Sequence, residues 1–70
     1  MNDVDIEVYL MTNEPAFDIG NKQYSVCCVD GIFFTSDSDG KEFDFPNIAA
    51  LLDGWVVDGK PFRDIVMTIM

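Results

Sequence analysis

Two Asp-Gly pairs, Asp30-Gly31 and Asp39-Gly40, constrain this chain more than any other feature. They stand inside YSVCCVDGIFFTSDSDGKEFDF, Tyr24 to Phe45, between β-branched and aromatic runs. A tight type I′ hairpin needs two central residues that tolerate positive φ. Asp-Gly supplies them, so the stretch predicts two successive antiparallel hairpins. Upstream, Gly20-Asn21 is a weaker turn signal between Ala16–Ile19 and Lys22–Val29.

Alternation along these runs assigns the faces. With Asp30 and Gly31 as the turn, Val29 lies opposite Ile32, Cys28 opposite Phe33 and Cys27 opposite Phe34. A two- or four-residue loop at Asp39-Gly40 then puts Phe43 and Phe45 on the side of Phe34. The expected core face is Cys27, Val29, Ile32, Phe34, Phe43 and Phe45, with Glu42 and Asp44 opposite. The second face carries Tyr24, Val26, Cys28 and Phe33, joined by Phe17 and Ile19 if Gly20-Asn21 is a two-residue turn. A sheet wetted on one side alternates more strictly than this. Something in the same chain, or a partner, is therefore expected to cover that face, with Phe17, Tyr24, Val26 and Phe33 as its apolar contact residues.

Before the hairpins, Asp3 to Thr12 alternates between Val4, Ile6, Val8, Leu10 and Asp3, Asp5, Glu7, Tyr9. That period predicts a half-buried strand, at the edge or the centre of the sheet, whose carboxylates stand in a row about 6.6–6.8 Å apart. Asn13-Glu14-Pro15 ends it. Beyond Phe45 the period changes. Ile48, Leu51, Leu52 and Trp55 follow helical spacing, with Pro46 suited to the first turn and Gly54 to the C-cap. Trp55 completes that stripe and reads as a core residue rather than an interface anchor. After Asp58-Gly59, Phe62, Ile65, Val66 and Ile69 repeat the spacing, with Pro61 at the start and Asp64 in the first turn. Residues 61–69 are read as a second short helix, with a closing strand over Val66–Met70 as the alternative. The expected architecture is one α+β domain over residues 1–70: a four- or five-stranded antiparallel meander, then two short C-terminal helices packed on one face.

A chain of 70 residues buries only about 60–65% of its unfolded surface, so a core of this size leans on a staple or a partner. Cys27 and Cys28 are adjacent on a predicted strand and point to opposite faces. A disulfide between them would need a strained turn, which implies two reduced thiols and a cytoplasmic setting. The start, MNDVDIEVYL, is acidic where a secretion signal is basic, and no apolar run reaches membrane-spanning length. Thirteen acidic residues against four basic ones give a formal charge of −9. That balance argues against direct nucleic-acid binding, which needs clustered Lys and Arg, and against an anionic membrane. A basic protein surface is the natural partner.

Catalytic groups are hard to assemble. There is no histidine, so neither a Ser-His-Asp nor a Cys-His arrangement exists. No local spacing brings Lys22, Lys41, Lys60 or Arg63 beside the cysteines, which read as small buried hydrophobes. DSDGKEFD superficially resembles a calcium loop. With Gly40 at the sixth position, however, Thr35 falls at the first and Pro46 at the twelfth, which fails the EF-hand pattern. Zinc lacks a ligand set, and no phosphate-cradling glycine loop occurs. Neither an enzyme nor a bound cofactor is expected.

What remains is a surface. Asp3, Asp5 and Glu7 on one strand, with Asp37, Asp39, Glu42 and Asp44 around the second hairpin, would form an extended acidic face resembling a nucleic-acid backbone in charge and spacing. The leading expectation is a non-enzymatic interaction protein, an inhibitor or nucleic-acid mimic occupying the basic surface of a nucleic-acid-binding enzyme. A solvated strand whose charges block edge-to-edge pairing accounts for the same carboxylates. The alternative is an assembly protein that dimerises or joins a larger complex through the apolar face. The plan is similar to that of many phage and mobile-element accessory proteins and of small immunity proteins. The likeness is one of architecture and charge, and it carries no residue role across.

Overall fold

The computed structural model describes residues 2–69; Met1 and Met70 lie outside the described residues. The chain runs α1 (Asp3–Asn13), β1 (Ala16–Ile19), β2 (Lys22–Val29), β3 (Ile32–Asp37), β4 (Glu42–Phe45), α2 (Ile48–Gly54), β5 (Val56–Val57), β6 (Lys60–Pro61) and α3 (Phe62–Ile69). The first four strands form an antiparallel meander in the order β1-β2-β3-β4, and β5 and β6 form a separate two-stranded ribbon. The α+β meander followed by C-terminal helices is the expected plan. Among the described residues no helix is long and apolar enough to cross a membrane.

Local turn chemistry sets most of the register. At Asp30-Gly31, Val29 pairs with Ile32, Cys28 with Phe33 and Cys27 with Phe34. Both central residues have positive φ, 54° and 79°, as a type I′ turn requires. Gly20-Asn21 is also a two-residue turn, since Ile19 pairs with Lys22 and Phe17 with Tyr24.

The Asp39-Gly40 hairpin departs from expectation. Asp37 N donates to Lys41 O at 3.1 Å and Gly40 N donates to Asp37 O at 3.1 Å. The loop is therefore Ser38-Asp39-Gly40, with Gly40 at φ 84°. This is the three-residue solution, a tight turn followed by a left-handed residue. The Asp37 side chain holds it, because its Oδ1 accepts from Asp39 N at 2.9 Å and Lys41 N at 3.1 Å. An odd loop reverses every side chain of the following strand. Phe33 pairs with Phe45, Phe34 with Asp44, Thr35 with Phe43 and Ser36 with Glu42. Phe43 and Phe45 thus share the side of Phe33, and Glu42 and Asp44 the side of Phe34.

That reversal decides which face is wet. Burying Glu42 and Asp44 would cost several kcal/mol per ion. Burying Phe34 or Ile32 in exchange gains only about 1.5–3 kcal/mol each. The expected core face of Cys27, Val29, Ile32 and Phe34 is consequently the outer one. Phe43, though on the inner side, stays exposed on edge strand β4, whereas Phe45 is half-buried. Tyr24, Val26 and Phe33 belong to the core, with Phe17 and Cys28 packed against it. They are not an open surface for a partner, because the chain's own helices cover them.

The N-terminal segment is a helix, not the expected strand. Asn2 caps α1, its Oδ1 accepting from Asp5 N at 3.0 Å, and Asp3 and Asp5 lie in the first turn, where the helix dipole favours anions. Glu14 ends it in a left-handed conformation, φ 43°, donating its N–H to Leu10 O at 3.1 Å ahead of Pro15. Ile6 and Leu10, one turn apart, point into the core, while Val4 and Val8 point outward. Apolar residues on both sides erase the helical period and leave the alternation that suggests a strand.

Ile6 and Leu10 join Leu51 and Leu52 of α2, Trp55, Val57, and Phe62, Ile65 and Val66 of α3 over the inner face. Trp55 is the core residue its spacing suggested. Its ring centroid lies 4.8 Å from that of Phe62, and Phe17 stacks on Tyr24 at 5.6 Å. In α2 (first residue Ile48), Asn47 caps by accepting from Ala50 N at 2.8 Å, which leaves Pro46 one position before the cap and outside the first turn. Gly54 lets β4 approach, since a Cβ there would lie 3.2 Å from the Phe45 ring. Residues 62–69 are helical, so the described part of the tail is not a closing strand. Arg63 of α3 holds three helices together. Its Nη1 lies 2.8 Å from Asp3 of α1, and its Nε 2.8 Å from Asp53 of α2.

Candidate partner-binding surface

Among the described residues three helices cover the inner face of the sheet, and none covers the outer one. Its centre is built by the two-residue turn between β2 and β3, which sets Val29 beside Ile32 and Cys27 beside Phe34. Val29 is 54% exposed, and Ile32 and Phe34 are each 39% exposed. Toward the other end, Ser25 and Ser36 face one another across the strands with their hydroxyls 2.6 Å apart. Edge strand β4 adds Asp44 directly opposite Phe34, and Glu42 opposite Ser36. Cys27, Phe34, the serine pair and the two carboxylates line a shallow concavity of about 460 Å³. An aromatic ring with a carboxylate beside it offers a cation both a π-face and a counter-ion.

The acidic residues singled out by sequence do not form one stripe. Asp3, Asp5 and Glu7 lie on α1, which packs over the inner side of the sheet. Helical rotation keeps Asp3 and Glu7, four residues apart, on one side and turns Asp5 to the other, so the three form no row. Asp3 is held by Arg63, and Asp39 by Lys22 at 2.6 Å. The Lys22 ammonium, by hydrogen bond and charge, draws the Asp39 carboxyl below the usual range, and Asp39 raises Lys22 in return. Arg63 depresses Asp53 in the same way. Asp37 is occupied by the two amide N–H groups of its own turn. Of the seven, only Glu42 and Asp44 stand on the open sheet face, and among the described residues neither has an ion-pair partner within 4 Å.

The residues that sequence reasoning misplaced are Cys27, Val29, Ile32 and Phe34, assigned to the core face by register together with Phe43 and Phe45. The missing signal was the parity of the Ser38–Gly40 loop. Cys27 and Cys28 are both free thiols. Cys27 is on the open face, and Cys28 packs against the core. Among the described residues no group of three or more Cys, Asp or Glu is gathered closely enough to hold a metal ion. Compared with models of known protein families, with curated proteins and with solved structures, the chain matches none of them.

Proposed function

We propose that this protein is a non-enzymatic interaction module that docks the outer face of its sheet onto a basic protein surface. The supporting observation is an uncovered apolar strip, Val29, Ile32 and Phe34, bordered by the unpaired carboxylates Glu42 and Asp44. A complementary partner presents an apolar contact surrounded by Lys and Arg, and a net charge of −9 accelerates its approach. The cleft of a nucleic-acid-binding enzyme has that chemistry, so inhibition by occlusion is the proposed consequence. Extended mimicry of a phosphate backbone is not part of the proposal, because the row of carboxylates it requires does not form. Self-association through this face is disfavoured, since it would press two strongly acidic molecules together.

The test is capture of partners from the native cell with immobilised protein and a salt gradient. The specific partner should elute as salt rises and be lost when Glu42→Gln and Asp44→Asn are combined. Capture that withstands high salt and the double substitution would contradict the proposal.

A further inference from the structure

A second unpartnered surface lies on α1, away from the sheet. Val4, Val8 and Met11 are 63%, 54% and 52% exposed. They recur at i, i+4 and i+7, which aligns them in a ridge about 10 Å long on the side opposite the buried Ile6 and Leu10. This is the spacing of a helix-pairing seam. The positions flanking the ridge are Glu7 on one side and Asp5 on the other, and α1 contains no cation. Asp3 is engaged by Arg63, whereas Asp5 and Glu7 have no ion-pair partner among the described residues.

We propose that this ridge docks an amphipathic helix of a partner protein that carries Lys or Arg beside its own apolar seam. Charge selects the occupant. A second copy of α1 would set acid against acid along both flanks, whereas a basic helix pairs with them. The ridge points away from the outer sheet face, so the two surfaces engage different partners or different parts of one. The molecule is then a two-sided adaptor.

The probe is a synthetic four-heptad peptide with leucine at its seam positions and lysine at the flanks, titrated into isotopically labelled protein. Amide shifts are expected around Val4, Val8 and Met11. Combining Val4→Ser and Val8→Ser should weaken binding about tenfold, as should Met11→Ser to a lesser degree, each with the unfolding midpoint unchanged. Raising salt from about 0.05 to about 0.5 M should also weaken it. Phe34→Ser should leave it unchanged, which separates this site from the sheet face. Four results would overturn the proposal. These are absence of shifts, shifts on the outer sheet face, equal binding of a glutamate-flanked peptide, or a free-protein dimer that the seam substitutions dissociate.

Discussion

Phe33 and Phe34 are neighbours in the chain and opposites in the fold. Phe33 is fully buried beneath three helices, and Phe34 stands on the open face opposite Asp44. Phe33→Ala removes a core ring and should cost about 3–5 kcal/mol. Phe34→Ala removes a ring that is 39% exposed and should cost about 1 kcal/mol, well below the loss at Phe33. Denaturant unfolding of the two variants checks the pair. Equal losses, or the larger loss at Phe34, would mean that the faces are assigned the wrong way round. From sequence alone the two residues are indistinguishable, because both sit in one apolar run and only the partner strand's register tells them apart.

At the scale of elements, what was legible followed from local chemistry. Asp30-Gly31 set its hairpin register because a two-residue turn needs nothing beyond itself. Ile48–Gly54 and Phe62–Ile69 were legible because their apolar stripes have one side only. The reading of Asp39-Gly40 as a two- or four-residue loop fails, since the same two letters also end a three-residue one. The Asp37 side chain decides between them by accepting two amides. Segment α1 was misread because its apolar residues ring the helix, and its cap, Asn2, is a single-residue signal. The link between α1 and the other helices, Arg63, joins positions 60 residues apart that no spacing rule connects.

The Arg63 clamp carries a pH signature. Asp53 is depressed in the folded protein, so its contribution to stability is full above the ordinary carboxylate pKa of about 3.9 and disappears as pH falls through the lower folded value. Comparing wild type with Arg63→Ala should give a stability difference that is level from about pH 5 to 8 and shrinks below about pH 4. A difference that persists undiminished at low pH would show that Arg63 acts by packing its stem, not by charge.

For the whole molecule, sequence reasoning expected uncovered apolar area at Tyr24, Val26 and Phe33; all three are buried, and the exposed apolar residues of the sheet include Val29, Ile32 and Phe34 on the other face. It assigned the surplus apolar area to the wrong face and gathered the charge into a stripe that the helix disperses. Glu42 and Asp44 are exposed, as the alternation along β4 suggests; Val29, Ile32 and Phe34 lie on the open face against expectation, because the odd Ser38–Gly40 loop turns the carboxylates to their side. Three short helices protect one side of a four-stranded sheet and leave the other open, and the proposed function depends on that asymmetry. Side-chain relaxation in the free protein, measured with a soluble neutral paramagnetic agent, reads it directly. Strong enhancement at Val29, Ile32 and Phe34, with Tyr24, Val26 and Phe33 shielded, is the predicted result. Shielding of Phe34, or enhancement at Phe33, would contradict it.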